Sequence, residues 1–437
     1  MRIRIVALLL VVACAPSTQG RVTPALSPLE TLRHSIDSLA TNPIFRNSNM
    51  GILVLNPASG DTLFSRNAGK LFMPASNQKI LTGSVALALL GPDYRYKTAF
   101  VSRGAVRDGV LDGDLIVIGN GDPTVSDRAQ QGNASTWMTR IADSLAARGI
   151  KRVGGALVRG GNAFPDSIYG YGWEWDDLTT DSGAPIDELL YNEGMTKVTE
   201  RIGGRDTTVE VATRTPGRTY LDALASALVS RGITVGRGVS DSTADIVAPR
   251  TDTLFLVASP PLRDILKYLE KPSQNQIAEI LMHTLGLERT GVGSADSGAA
   301  VVSRQLIAWG AEREGFRYYD GSGLSRHDLV SPETIVRTLV AIQRDTAFQA
   351  FYDALPVAGV DGTLRTRMVG TRAAGNMHAK TGTLQFVRSL SGYVTDLDGD
   401  RLVFSLLHNH YTVSVDSVSK FQNEVGALLA NFRGRRR

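Results

Sequence analysis

Ser76-Asn77-Gln78-Lys79, Ser273-Gln274-Asn275 and Lys380-Thr381-Gly382 occur in that order, with almost two hundred residues between the first two motifs. One packed helical domain does not need so long a separation, so the chain is expected to fold as a core interrupted by one or two inserted domains. Ser76 and Lys79 open the apolar run Ile80 to Leu90, which Gly91 ends as a helix stop would. On a helix the two share one face at i,i+3 spacing. A serine hydroxyl is a poor nucleophile near neutral pH, and a lysine serves as its base if a dry site and a second cation lower the lysine pKa. Lys380 is the candidate for that cation, and the expected chemistry is serine acyl transfer.

Composition bears on the two lysines. The chain has nine lysines and thirty-eight arginines, so arginine stands at most places where a positive charge suffices. Arginine cannot give up its proton and lysine can, which fits a proton-transfer role for Lys79 and a compact cationic role for Lys380. Ser-x-x-Lys alone is a weak signal, since a second copy occurs at Ser417-Val418-Ser419-Lys420. That copy lies in a run, Val418, Phe421, Val425, Leu428 and Leu429, with the periodicity of a C-terminal helix, and no Ser-x-Asn or Lys-Thr-Gly follows it. The ordered triple carries the weight.

On these motifs the chain resembles the penicillin-interacting serine D,D-peptidases and the related serine β-lactamases. Within them it is most similar to the D-alanyl-D-alanine carboxypeptidase/endopeptidase group typified by penicillin-binding protein 4. Gly119-Asn120-Gly121-Asp122-Pro123-Thr124, Gly172-Trp173-Glu174-Trp175-Asp176-Asp177-Leu178, the stretch Asp320 to Arg326 and the stretch Leu355 to Leu364 support it, and the likeness runs from about Leu29 to the C-terminal helix. The resemblance implies an α/β (α+β) fold: a central antiparallel sheet flanked by helices, with smaller α+β domains inserted. It implies Ser76 as nucleophile, Lys79 as base, Ser273 as proton relay to the leaving amine, and Asn275 as the group orienting Lys79 and the substrate amide. Lys380 and Thr381 would bind the substrate's terminal carboxylate, with Gly382 and Thr383 completing the binding strand. The backbone N–H groups of Ser76 and Thr383 would form the oxyanion hole. No cofactor and no metal are implied. The expected partners are peptidoglycan stem peptides, with β-lactam antibiotics as covalent inhibitors. Three rivals are a serine β-lactamase, an esterase on the same scaffold and a non-catalytic wall-binding protein. A lactamase with a dedicated glutamate base carries it after Ser-x-Asn, and Glu188 precedes that motif.

The expected organisation is a discontinuous peptidase domain of residues 28–95 and 256–437 with an inserted region at 96–255. Within the insertion, Trp137 to Ala147 reads as a helix leading to a strand near Val153 to Val158, and Tyr220 to Val229 leads in the same order to Val235 to Val239. These are two small α+β units, either an internal duplication or two ordinary connections. In the core, Ser27-Pro28-Leu29-Glu30 is a capping-box start with proline at the first helical position. Gly51 to Leu55 and Thr62 to Ser65 read as a hairpin, and Leu384 to Val394 and Arg401 to His408 as antiparallel strands joined through Asp398-Gly399. Ile277 to Leu285, Ala299 to Trp309 and Pro332 to Ile342 read as helices. Lys380-Thr381-Gly382 is then expected at the start of an edge strand beside the nucleophile helix, where a substrate backbone can add to the sheet.

The amino terminus has the form of an export signal at residues 1–13: basic Arg2 and Arg4, then an apolar stretch too short to span a bilayer. Val11-Val12-Ala13-Cys14 resembles a bacterial lipobox, and Cys14 is the one cysteine of the chain. The expectation is lipidation at Cys14, a tether over 14–27 and a periplasmic, outer-membrane-anchored enzyme that touches membrane through its lipid alone. With no second cysteine, no internal disulfide forms, and stability rests on burial. The formal charge of +4 is matched by the arginines at 433, 435, 436 and 437, so the body is nearly neutral and nothing points to nucleic acid. Trp173 and Trp175 are equally readable as cleft residues or as anchors of a loop. Asp320, Ser322 and Arg326 read as a polar turn, either near the cleft or, in the favoured reading, structural. His378 is set aside as a triad member because the Ser/Lys set is complete, and His408 and His410 lack a third residue at zinc-site spacing.

Overall fold

Strand β1 (Asn49–Asn56) sends Ile52 and Val54 to one side of a sheet and Leu53 to the other, and all three are buried. A strand apolar on both faces must be covered on both, and it is. The computed structural model describes residues 26–244 and 252–434. Its core elements are α1 (Pro28–Ala40), β1, β2 (Asp61–Arg66), α2 (Gln78–Leu90), α3 (Leu262–Glu270), α4 (Asn275–Thr290), α5 (Ala295–Ala308), α6 (Pro332–Gln343), α7 (Phe348–Ala354), β3 (His378–Leu384), β4 (Val387–Thr395), β5 (Arg401–Asn409) and α8 (Val415–Ala430). The five strands form one antiparallel sheet in the order β3-β4-β5-β1-β2. One face packs Ile52, Val54, Phe404 and Leu406 against α1 and α8, with Leu32, Ile36, Phe421 and Val425 in the same cluster. The other packs Leu53, Val403 and Leu407 against the helical layer of α2, α4 and α6.

Local chemistry sets these elements as the sequence leads one to expect. Ser27 and Glu30 form a reciprocal capping box at the start of α1, with Pro28 at its first position. Helix α2 is buried from Gln78 to Leu87 and stops at Gly91, whose φ of 85° favours glycine. The Ser417 to Lys420 stretch lies in α8, in which Val418, Phe421, Val425 and Leu429 are buried. The segment read as one strand over Leu384 to Val394 is instead the turn and second arm of a hairpin. Strand β3 ends at Leu384, Gln385-Phe386 turns with Phe386 at φ 59°, and β4 follows. The Lys-Thr-Gly motif therefore has an edge strand of its own.

The inserted region leaves and returns side by side, since Lys97–Ser102 pairs antiparallel with Asp252–Ala258. Helix Ser135–Ala146 leads to strands Arg152–Val153 and Leu157–Gly160, and helix Pro216–Ser230 leads to Thr234–Val235 and Val239–Ala244. Each strand of the second unit pairs parallel with its counterpart in the first. Trp137, Ile141 and Leu145 share one core with Tyr220, Leu224 and Leu228. The two helix-to-strand units are thus neighbours in common sheets. A hairpin, Met195–Ile202 with Arg205–Ala212, forms a separate two-stranded ribbon between them.

Candidate active site

Ala75 is buried with a left-handed φ of 49°, and Ala75–Asn77 form a 3-10 turn from which α2 continues at Gln78. Ser76 therefore stands two residues before the α-helix rather than within it, with Lys79 in the first turn. Strand β3 is fastened against this turn. Asn77 Nδ2 donates to Lys380 O at 2.9 Å, and Ser389 Oγ on β4 donates to Pro74 O at 2.7 Å. A β-carbon at Gly382 would fall 2.8 Å from Pro74 O and 2.9 Å from Ser76 N, so glycine is what lets the strand approach the nucleophile.

Lys79 is fully buried, with Nζ 2.9 Å from Ser76 Oγ, 2.6 Å from Asn275 Oδ1 and 2.8 Å from Ser322 O. A neutral amine has two N–H groups and one lone pair. If the N–H groups go to the oxygens of Asn275 and Ser322, the lone pair is left on Ser76 Oγ. Burial, and then the nearby charge of Lys380, push the Lys79 pKa down to about 7, against the opposing pull of Glu270, Asp320 and Glu279. Asn275 Nδ2 donates to Ser182 O at 2.8 Å, which turns the amide oxygen toward Lys79.

Lys380 is equally buried and donates to Ser273 Oγ at 2.8 Å and to Thr381 O at 3.0 Å. Burial brings its pKa down to about 8, with Glu270 pulling the other way. Ser273 occupies the left-handed region at φ 68° between α3 and α4, and Gln274 caps α4 by accepting Ile277 N–H at 3.1 Å. Thr381 Oγ1 donates to Thr363 Oγ1 at 2.7 Å, while Thr383 is exposed on β3 with its hydroxyl against the Arg388 guanidinium. Ser76, Lys79, Ser273, Asn275, Lys380, Thr381, Gly382 and Thr383 thus meet where the turn, the start of α4 and β3 adjoin. Cys14 lies outside the described residues.

Several residues at this place escaped the sequence analysis. Ser322 is more than part of a structural turn, because its carbonyl holds Lys79. The turn itself is built by Asp320, which accepts the N–H groups of Gly323 and Ser325 and the Trp173 indole N–H at 2.6, 2.6 and 2.9 Å. Trp173 is therefore an anchor, and Trp175 is 84% exposed. Glu279, one turn along α4 from Asn275, accepts Gly321 and Ser322 N–H. Glu270 at the end of α3 is fully buried beside both lysines. Its nearness to Ser273 in sequence was the one available signal. His378 stacks on Tyr352 with ring centroids 3.9 Å apart, and His408 packs among Phe45, Tyr411 and Phe421, where burial takes its pKa to about 4.

Residues 32–212 and 201–431 match the model of the D-Ala-D-Ala carboxypeptidase 3 (S13) family. A D-alanyl-D-alanine carboxypeptidase from an Actinomadura species is 30% identical over 98% of this chain and 90% of its own length. The D-alanyl-D-alanine carboxypeptidase DacB of Haemophilus influenzae is 25% identical over 85% of this chain and 88% of its own. Among solved structures, penicillin binding protein 4 of H. influenzae superposes with a TM-score of 0.77 at 24% identity, covering 91% of this chain and 99% of that one. A penicillin G-acylated predatory endopeptidase of Bdellovibrio bacteriovorus superposes with a TM-score of 0.56 at 20% identity, over 88% of this chain and 92% of that one.

Proposed function

The chain belongs to the D-Ala-D-Ala carboxypeptidase 3 (S13) family, and from that premise we propose how its residues divide the work of a serine D,D-peptidase. The enzyme is a serine-type D-Ala-D-Ala carboxypeptidase, and its substrates are stem peptides of peptidoglycan. The observation that carries the assignment is Lys79 Nζ at 2.9 Å from Ser76 Oγ with its other partners already provided.

Ser76 Oγ attacks the carbonyl carbon between the two D-alanines while its proton passes to Lys79. The oxyanion that forms is held by the backbone N–H groups of Ser76 and Thr383, where preorganised donors contribute most. As the C–N bond breaks, a proton reaches the leaving amine through Ser273, and the peptide remains as an ester on Ser76. Water then attacks this ester as Lys79 takes its proton, and Lys79 returns that proton to Ser76 Oγ as the acyl C–O bond breaks, which releases the shortened peptide and restores both residues. Lys380 and Thr381 hold the terminal carboxylate, and Gly382 and Thr383 present the strand edge to the substrate backbone. The leaving group is D-alanine or a D-alanyl-cross-linked stem peptide, since cleavage after the same D-alanine serves both. A β-lactam undergoes the same attack, but its leaving amine stays tethered to the acyl group. Glu188 is engaged by Arg159 in the inserted region, which gives no support to a lactamase base there.

The proposed organisation is a signal peptide at 1–13, a tether over 14–27 lipidated at Cys14, a peptidase domain of 28–95 and 256–437, and an insertion at 96–255. The enzyme then works in the periplasm, attached to the outer membrane by lipid alone. The test of the catalytic assignment is D-alanine release from a D-alanyl-D-alanine peptide. Wild-type protein releases it, and folded Ser76→Ala falls to background. Release by the folded Ser76→Ala protein would remove Ser76 from the mechanism.

A further inference from the structure

Two lysines buried close enough to repel each other need compensation, and four buried acids lie in this part of the molecule: Glu270, Glu279, Asp320 and Asp328. Three of them have other bonding partners. Glu279 accepts the N–H groups of Gly321 and Ser322 at 3.0 and 2.8 Å, Asp320 accepts Gly323, Ser325 and Trp173, and Asp328 accepts Tyr319 N–H at 2.7 Å. Glu270 is the exception. Neither of its carboxylate oxygens has a hydrogen-bond partner among the described residues, although the side chain is fully buried. It lies against Gly83, one turn beyond Lys79 on α2, where a β-carbon would come within 2.9 Å of its Oε1. Three residues further along the chain Ser273 holds Lys380 Nζ.

The titratable groups on helices packed against α3 are Lys79 on α2, Glu279, His283, Glu288 and Arg289 on α4, and Tyr352 and Asp353 on α7. Of these and of the neighbouring strand, the charges that act on Glu270 are those of Lys380 and Lys79. We propose that Glu270 is a positioning residue for acyl transfer, a buried counter-charge that keeps Lys380 protonated and stabilises the proton that Lys79 takes from Ser76. The inference rests on the roles assigned above to Ser76, Lys79 and Lys380. In the reactive state the three side chains are an amine, an ammonium and a carboxylate, and their charges cancel. When Ser76 passes its proton to Lys79, the trio carries one positive charge; without the carboxylate it would carry two. Burial lifts the Glu270 pKa and the charges of Lys380 and Lys79 draw it down, the balance standing at about 7, as a shared cluster requires.

The test is the second-order rate of benzylpenicillin acylation, read by intact mass across about pH 5 to about pH 10, for wild type, Glu270→Gln and Glu270→Asp. Removing the carboxylate lowers the proton affinity of both lysines. In Glu270→Gln both limbs of the profile therefore move to lower pH by about one unit, and the rate on the basic limb falls about tenfold. Glu270→Asp keeps the charge and keeps the limbs near their wild-type positions. Glu270→Met removes the charge together with the unpaired oxygens and makes the same prediction as glutamine if that variant does not fold. A purely structural residue would lower the rate evenly across pH, and that result, or superimposed profiles, overturns the proposal. A wild-type protein that forms no adduct at Ser76 would fail the underlying assignment instead.

Discussion

At Lys79 and Lys380 the chain needs what arginine cannot supply. Lys79 must hold a lone pair toward Ser76, and an arginine there would stay protonated. Lys79→Arg is expected to fold and to lose acylation by about 10² to 10⁴-fold, the usual contribution of a positioned base. A folded Lys79→Arg protein acylated at the wild-type rate would exclude this role. The pH dependence follows in sign from the two lysines. The rate rises as Lys79 loses its proton around pH 7 and falls as Lys380 loses its own around pH 8, both values belonging to the coupled cluster. A rate that does not fall below about pH 6 and above about pH 9 would contradict it. Ser76, Lys79 and Lys380 were legible in sequence because each belongs to a short motif whose residue types are dictated by chemistry. Glu270 and Ser322 were not, because one acts through charge and the other through a backbone carbonyl, and neither need leaves a pattern in neighbouring residues.

At the scale of elements, the site depends on how closely β3 approaches the turn before α2. Gly382 has no left-handed φ, so its requirement is one of space. An alanine there meets Pro74 O, Ser76 N and Ser389 Oγ, and the strand or the turn must give way. Gly382→Ala is expected to keep the fold and lose acylation by about 10²-fold, the cost of roughly an ångström of misplacement at a reacting centre. Acylation of a folded Gly382→Ala protein at the wild-type rate would show that the approach is not needed. The sheet's central strands were readable from alternation and the helices from periodicity. The β3–β4 hairpin was misread because its turn is Gln385-Phe386, with no glycine, asparagine or aspartate to announce it. Helix α3 was missed although its apolar positions Leu262, Ile265, Leu266 and Leu269 are buried at helical spacing.

At the scale of the whole molecule, a single sheet with helices on both faces carries the chemistry, and the proposed insertion leaves and returns through one pair of adjoining strands while its Trp173 and Ser182 reach the site. The long gap between the first two motifs is what suggests an insertion. It did not announce that its two units share sheets and a core, because parallel pairing between distant strands has no local signature. The proposed lipid at Cys14 makes its own prediction for the full chain. Wild-type protein expressed in a bacterium with an outer membrane is expected in the outer-membrane fraction, and Cys14→Ser in the soluble periplasmic fraction or unprocessed. Unchanged fractionation of a processed Cys14→Ser protein would exclude the lipid anchor.

The central claim is that Ser76 is the acylated nucleophile. Its most direct test is intact-mass analysis of residues 21–437 with and without benzylpenicillin, followed by peptide mapping. The account predicts one stoichiometric adduct located on Ser76 and none on folded Ser76→Ala. An adduct on another residue, or one that persists in the folded alanine variant, would contradict it.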